Sequence, residues 1–350
     1  MLKISCVLLA LLGGFGVRAQ QPEKVRVAPD AKAKKVDVFV GKRLFTTFLY
    51  PDTLEKPILY PLLAANGTVV TRGFPFQPRP ADPTDHPHQV GVWFTFENIN
   101  GIDFWNNSYA IKPEQKATRG WIKTDRILEA AGGTTGTLAY HANWTNQQNE
   151  VLLEETTRLE FSGTKHQRVI DRVTTLTARP NLTFNDAKDG LLGLRLAHEL
   201  QIPTDQDQKF TSRQGQVTVV KGGTDKVPAG TFLTSAGKRG NDAWGTRAVW
   251  CKAYGKIGPD SVSVSIIDHP QNPNYPACWH ARGYGLFAIN PFGDKQFTNG
   301  QTVQNWQLPA GKSVSFRYRI IVAEGHTTPT SQQLNARAAE FARKRLEISK

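Results

Sequence analysis

The spacing of the apolar runs constrains the fold of this 350-residue chain more than any other feature. The runs are short, they recur along almost the whole sequence, and Gly, Asn, Asp or Pro closes most of them. In "VGVWFTFENI" (90–99), Val90, Val92, Phe94 and Phe96 alternate with Gly91, Trp93, Thr95 and Glu97. Period-two alternation places the two sets on opposite faces of a strand. "VDVFVGKRLFTTFLY" (36–50), "EVLLEETTRLEFSG" (150–163), "QRVIDRVTTLTA" (167–178), "GLLGLRLAHEL" (190–200), "GQVTVVKG" (215–222), "SVSVSIID" (261–268) and "SVSFRYRIIVAEG" (313–325) read the same way. Such runs separated by turn residues predict an all-β chain folded as a sandwich or barrel. No low-complexity linker or exact repeat divides them. The expected architecture is a large antiparallel β-sandwich forming one domain over 20–350, with a split near 180–190 as the alternative.

One segment departs from the strand pattern. Pro329 and Ser331 precede "QQLNARAAEFARKRLEI", in which Leu334, Ala338, Phe341 and Ile348 recur at helical spacing and basic residues gather near the end. This predicts a capped amphipathic helix over 331–348 that packs back on the sandwich.

The first residues, "MLKISCVLLALLGGFGVRAQ", combine Lys3, an apolar run to about Val17, and small residues at the positions a signal peptidase reads. A signal peptide over 1–19, cleaved after Ala19, is expected, and with it an exported protein, periplasmic or extracellular. The run is too short for a permanent membrane span, and no later segment is longer, so no stable membrane insertion is expected. The formal net charge of +13 is dispersed, apart from "RKR" at 343–345, and no nucleic-acid motif accompanies it. A nucleic-acid partner is therefore not expected. Cys6 leaves with the leader. Cys251 and Cys278 lack metal-motif spacing, and the sequence leaves open whether they form a disulfide.

Three clusters gather chemistry. In "RPADPTDHPHQVGVWF" (79–94), prolines stiffen a loop that carries Asp82, Asp85, His86 and His88 up to a strand. His86 and His88 are two residues apart. In extended chain they point the same way, as a metal pair or as an acid/base group and its partner. The aspartates can orient the rings. The plain alternative is a rigid corner. "NPNYPACWHARGYGLFAINPFG" (272–293) adds Trp279, His280, Arg282 and Tyr284; aromatic faces beside Arg and His suit a sugar, or else form a buried corner. "FNDAKDGLLGLRLAHELQI" (184–202) puts Asp186, Lys188 and Asp189 on a turn, then Arg195 and Glu199 on one face of a strand as an ion pair. Nucleophile-elbow, H-E-x-x-H, P-loop and dinucleotide fingerprints are absent, so no nucleotide cofactor is expected.

The stretches 71–105, 186–200 and 279–293 resemble the bacterial PmoA-like family, which has carried the label methane oxygenase. The resemblance covers most of the mature chain. It implies an exported bacterial β-sandwich protein. At the level of fold, the expected double sandwich also looks like galactose-mutarotase-type proteins, which act on sugars. The expectation is a protein acting on a carbohydrate by acid/base or metal-assisted chemistry: isomerisation, elimination or glycosidic cleavage. His86, His88, His280 and Asp85 are the catalytic candidates. Arg72, Arg79, Arg282, Asp82, Trp279 and Tyr284 are the candidates for holding the sugar. If a divalent metal is bound, His86, His88 and His280 are its ligands. The alternatives are a non-catalytic glycan-binding module and a mononuclear copper or iron oxygenase using those three histidines.

Overall fold

The computed structural model describes residues 21–79, 82–205, 207–211, 216–220 and 229–345. The expected leader over 1–19 and the end of the expected helix lie outside them. Two eight-stranded antiparallel sheets face each other. The first runs, in spatial order, Val25–Asp30, Lys35–Val40, Arg43–Leu49, Ile58–Leu62, Val92–Phe96, Gly190–Arg195, Leu286–Asn290 and Cys278–Ala281. The second runs Thr231–Thr234, Trp250–Ile257, Asp260–Asp268, Ser313–Glu324, Gln167–Ala178, Val151–Thr164, Gly136–Thr145 and Trp121–Ala131.

The alternating apolar residues meet between the sheets. Val92, Phe94 and Phe96 from the first sheet join Phe316, Tyr318 and Ile320 from the second in one buried cluster. Phe48 stacks on Tyr140 at 4.6 Å, and Phe94 meets Phe316 at 5.7 Å. Val90 does not share the face of Val92 as strict alternation predicts. Gly91 takes φ 57°, and a Cβ there would stand 2.2 Å from the Leu59 carbonyl oxygen. Only glycine fits that approach, and the irregularity turns Val90 to the opposite face, against Trp93.

The helix forms over Ser331–Arg343, with Thr330 and Gln333 making a capping box at its start. Leu334 and Phe341 bury against Val173, Trp250 and Ile321 on the outer side of the second sheet. The Trp250 indole N–H donates to Asn335 at 2.7 Å. The helix ends at Arg343; Lys344 is extended and spends its amine on Glu160 and Asp171. The 190–200 run is strand only over Gly190–Arg195 and closes in a 3-10 turn at His198–Leu200. No helix among the described residues is long and apolar enough to cross a membrane.

Cys251 and Cys278 are free. Cys251 faces the core from the second sheet, whereas Cys278 lies on the edge strand of the first, so the two thiols belong to different layers. Burial pushes the Cys278 thiol up to about 11 and Cys251 higher still, which leaves both as small buried groups.

Candidate functional site

The outer face of the first sheet carries a second apolar layer: Ile58, Tyr60, Trp93, Trp105, Leu286 and Ala288. Gly193 makes room for it, because a Cβ there would stand 2.5 Å from the Trp93 ring. Segments 72–79 and 82–90 fold onto this layer. Their anchor is Arg195, which leaves the same face and is fully buried.

Arg195 and Arg72 together fix the loop. Arg72 is 1% exposed and donates through Nη1 to the carbonyls of Pro83 and Asp85 and to Asp85 Oδ1, at 2.8–2.9 Å. Its Nη2 donates to the carbonyls of His86 and Gln89, each at 2.9 Å. Arg195 Nη2 donates to Asp85 Oδ1 at 2.9 Å and Oδ2 at 3.1 Å, while Nη1 donates to Gln89 Oε1. Burial favours a protonated Asp85. The charge of Arg195, the hydrogen bond from His86 and the charge of Arg72 outweigh it, and the carboxyl stays well below the usual range.

A carboxylate fixed as an anion can only accept, so His86 carries its hydrogen on Nδ1 and donates to Asp85 Oδ2. Nε2 is not engaged by that bond, and the side chain is 44% exposed. Tyr284 stacks on the imidazole at 5.4 Å with the planes 3° apart, and the Arg195 guanidinium lies 4.7 Å from the centre of the Tyr284 ring. The His88 ring stands edge-on 5.6 Å away. The two histidines do meet, but not by strand parity: His86 has φ 44°, in the left-handed region.

His88 lines a cavity of about 200 Å³ with Lys56, Glu55, Tyr109, Phe76 and Val90. Burial is the main reason its pKa falls well below the ordinary value, and the positive charges of Lys56, Arg72 and Arg195 add to it. His88 is therefore neutral near pH 7. Lys56 donates to the Trp105 carbonyl at 2.9 Å, and burial lowers its amine to about 8. Phe76 also belongs to an open groove of about 630 Å³ that continues over the same sheet past Tyr60, Leu49, Phe39, Lys35 and Asp37.

Several expected site residues have other work. Arg72 has no free Nη group for a sugar, since all its described bonds hold the loop. Asp82 is 2% exposed and accepts from the backbone of Gly73 and Arg79, which makes it a turn-former. Arg79 bridges Asp82 and Glu199 at 3.4 Å. Arg195 therefore pairs with Asp85 and not with Glu199, because the chain leaves strand geometry before residue 199. Trp279 faces the core, and its indole donates to the Ala248 carbonyl at 2.8 Å; it offers no stacking face. Arg282 is exposed at the rim, 6.0 Å from the Tyr284 ring.

His280 does reach the outer face, but with other neighbours. Its Nδ1 lies 3.2 Å from Asp189 Oδ1 and its ring packs on Phe297. Asp189 and Arg195 lie six residues apart in sequence at opposite ends of one strand, a span of roughly 20 Å. Asp189 accompanies Glu97, whose Oε2 accepts the Asp189 N–H at 3.0 Å. Burial, helped by the Asp189 charge, raises Glu97 to about 7. Among the described residues no three His, Cys, Asp or Glu side chains are placed to hold a metal ion. The triad of His86, His88 and His280 is thus not formed.

Gln89, Lys56 and Glu97 are the site-face residues that motif reading passed over, and Arg195 was read only as an ion-pair partner of Glu199. Arg195 had a signal: a single charge inside an apolar run must find a buried counter-charge.

The molecule is thus a two-sheet β-sandwich with a histidine–aspartate pair clamped on one outer sheet face. The chain belongs to a family of unknown function, DUF6807, which it matches over residues 35–338. That match carries no methane-oxygenase description. No curated protein matches. Among solved structures, the chain is similar to a GH36 α-galactosidase from Geobacillus stearothermophilus at 12% identity and a TM-score of 0.39. That likeness covers 85% of this chain and 41% of the α-galactosidase chain. It is also similar to a GalM/aldose epimerase homologue from C. elegans at 11% identity and a TM-score of 0.32, covering 87% of this chain and 99% of that one.

Proposed function

We propose that this chain is an exported carbohydrate-active protein that moves protons at a sugar ring, with His86 and His88 as the acid/base pair. The observation that carries the reading is the clamped Asp85, which holds the His86 hydrogen on Nδ1 and leaves Nε2 unengaged beside a neutral His88 that lines a cavity. A base with a fixed lone pair and a second imidazole within reach meet the needs of proton removal and return. The sugar class rests on the adjoining groove, where the Tyr60 and Phe76 rings border the polar pair Lys35 and Asp37. Isomerisation, elimination and glycosidic cleavage all use such a pair. The PmoA-like resemblance of the three stretches adds the expectation of export, and cleavage after Ala19 would start the mature chain at Gln20.

The test incubates purified protein in D₂O with a panel of neutral and acidic mono- and oligosaccharides. NMR reads deuterium entering sugar C–H positions, anomer exchange and new reducing ends. Wild type should turn over at least one sugar, and His88→Ala should lower that rate by 10²-fold or more. Equal rates in the two proteins would remove His88 from the reaction. A second reading, a glycan-binding module without catalysis, is favoured by the openness of the groove; it is the outcome if a sugar binds but no proton moves.

A further inference from the structure

A recess of about 710 Å³ lies away from the candidate site, near one end of the sandwich. Lys24, Lys42, Arg43, Lys165, His166 and Arg168 line it, against the two carboxylates Glu23 and Glu324. Both carboxylates are engaged. Glu23 lies 3.3 Å from Arg168 Nη1, and Glu324 accepts the Asn66 N–H at 2.7 Å. Lys24, Lys42 and Lys165 meet no carboxylate among the described residues, so the recess has a surplus of positive charge. Residues 1–20 contain Lys3 and Arg18 and no acid, so they bring no counter-charge.

The walls are fixed by backbone pairing. Glu23 N–H donates to the Gly163 carbonyl at 2.9 Å, and Gly41 N–H to the Lys24 carbonyl at 2.8 Å. These bonds tie the N-terminal segment to two separate hairpin turns. At the base, Arg168 is 2% exposed, donates through Nη1 to the carbonyls of Thr164 and Gln167, and keeps a buried Nε–H with no partner among the described residues. Arg43 Nη1 donates to the Ala65 carbonyl at 3.1 Å. Burying an unsatisfied guanidinium N–H costs free energy unless something else accepts from it.

We infer that this recess is a second ligand site, for an acidic oligosaccharide bearing carboxylate or sulfate groups. Recesses of roughly 300–1,000 Å³ hold ligands of oligosaccharide size, well beyond a lone phosphate or sulfate. Cations spaced around the walls match a ligand with several separated anionic groups. Their arrangement in a concavity, not on a protruding face, suits a soluble glycan better than a lipid surface.

Calorimetry at low salt with a heparin-derived tetrasaccharide tests the inference. Inorganic sulfate, neutral cellotetraose and vesicles containing anionic phospholipid serve as separate arms. Wild type should bind the tetrasaccharide, and the paired exposed-turn substitutions Lys42→Glu and Lys165→Glu should weaken binding by about tenfold or more. The same charge change at Lys256 and Lys312, outside the recess, should leave binding within about twofold. Equal loss in both double variants, equal affinity for sulfate alone, or binding to vesicles without the tetrasaccharide would each overturn the assignment. His88→Ala should bind the tetrasaccharide like wild type, so the result does not depend on the acid/base reading.

Discussion

Asp85→Asn tests the loop clamp and the acid/base reading together. Wild-type Asp85 accepts from Arg72 at 2.9 Å, from Arg195 at 2.9 and 3.1 Å, and from His86. The two arginine side chains are 1% and 0% exposed, so water cannot compensate them when the carboxylate is lost. Removing one partner of a buried ion pair costs about 3–5 kcal/mol. Asparagine keeps a carbonyl oxygen that can accept from both guanidinium groups, so the loss should fall near the low end, ~3 kcal/mol. The second effect is chemical. The new amide group turned towards His86 can only donate, so Nδ1 must accept and the ring hydrogen moves to Nε2. The wrong tautomer in a histidine–carboxylate pair costs on the order of 10⁴ in turnover. Urea denaturation reads the first effect and nitrogen NMR of the His86 ring reads the second. Because the folded pKa of Asp85 is depressed, its contribution is fully present above the unfolded value of about 3.9 and is lost as pH falls through the lower folded value. The stability gap between wild type and variant should hold steady from pH 5 to 8 and narrow below about pH 4. A gap under ~1 kcal/mol, or an unchanged His86 tautomer, would refute the reasoning.

Two further expectations follow from buried titratable groups. Glu97 has a pKa raised to about 7, so the folded state is penalised as pH climbs from the unfolded value of about 4.5. Glu97→Gln keeps an acceptor for the Asp189 N–H, and urea midpoints should show it more stable than wild type by ~1–2 kcal/mol at pH 8, after allowing for partial solvent exposure, and equal at pH 4. His88 and His280 have lowered pKa values, chiefly through burial, and titrate with the opposite consequence. The unfolded chain takes up protons near pH 6.5 before the folded one does, so stability should fall below that pH by up to ~1.4 kcal/mol per pH unit per histidine. This is read most clearly in the Glu97→Gln background, and a flat profile from pH 7 to 5 there would contradict the assignment of both rings as buried and neutral.

The strand runs were legible because side chains on a strand must alternate between its faces: 151–164 is half-buried and follows that rule outright, and in 92–96 and 313–324 the core-facing set follows it although the other face is largely buried too. The helix was legible for the same reason at a different period, although its end was not: Lys344 turns away to two carboxylates that no local pattern announces. Parity failed at particular backbone points. Gly91 and His86 take positive φ, and the chain leaves strand geometry before Glu199. Each of these departures lies on the loop or strand end that builds the candidate site.

The site itself was half legible. Composition singled out Asp85, His86 and His88, and Tyr284 joined them through an aromatic segment nearly 200 residues away. What composition cannot say is whether an arginine faces a ligand or a backbone. Arg72 illustrates the difference: it sits among prolines and aspartates, as a ligand-binding arginine would, yet its described bonds go to the carbonyls and carboxylate of its own loop. The prolines explain why. Proline supplies no N–H, so a proline-rich loop accumulates carbonyls that lack backbone donors, and a buried guanidinium with five N–H groups can serve several at once. The same stiffness that made the loop resemble a binding site therefore creates the need for Arg72. Once Arg72 and Arg195 have met that need they hold Asp85 ionised, and His86 gains its fixed tautomer as a consequence of how the loop is folded.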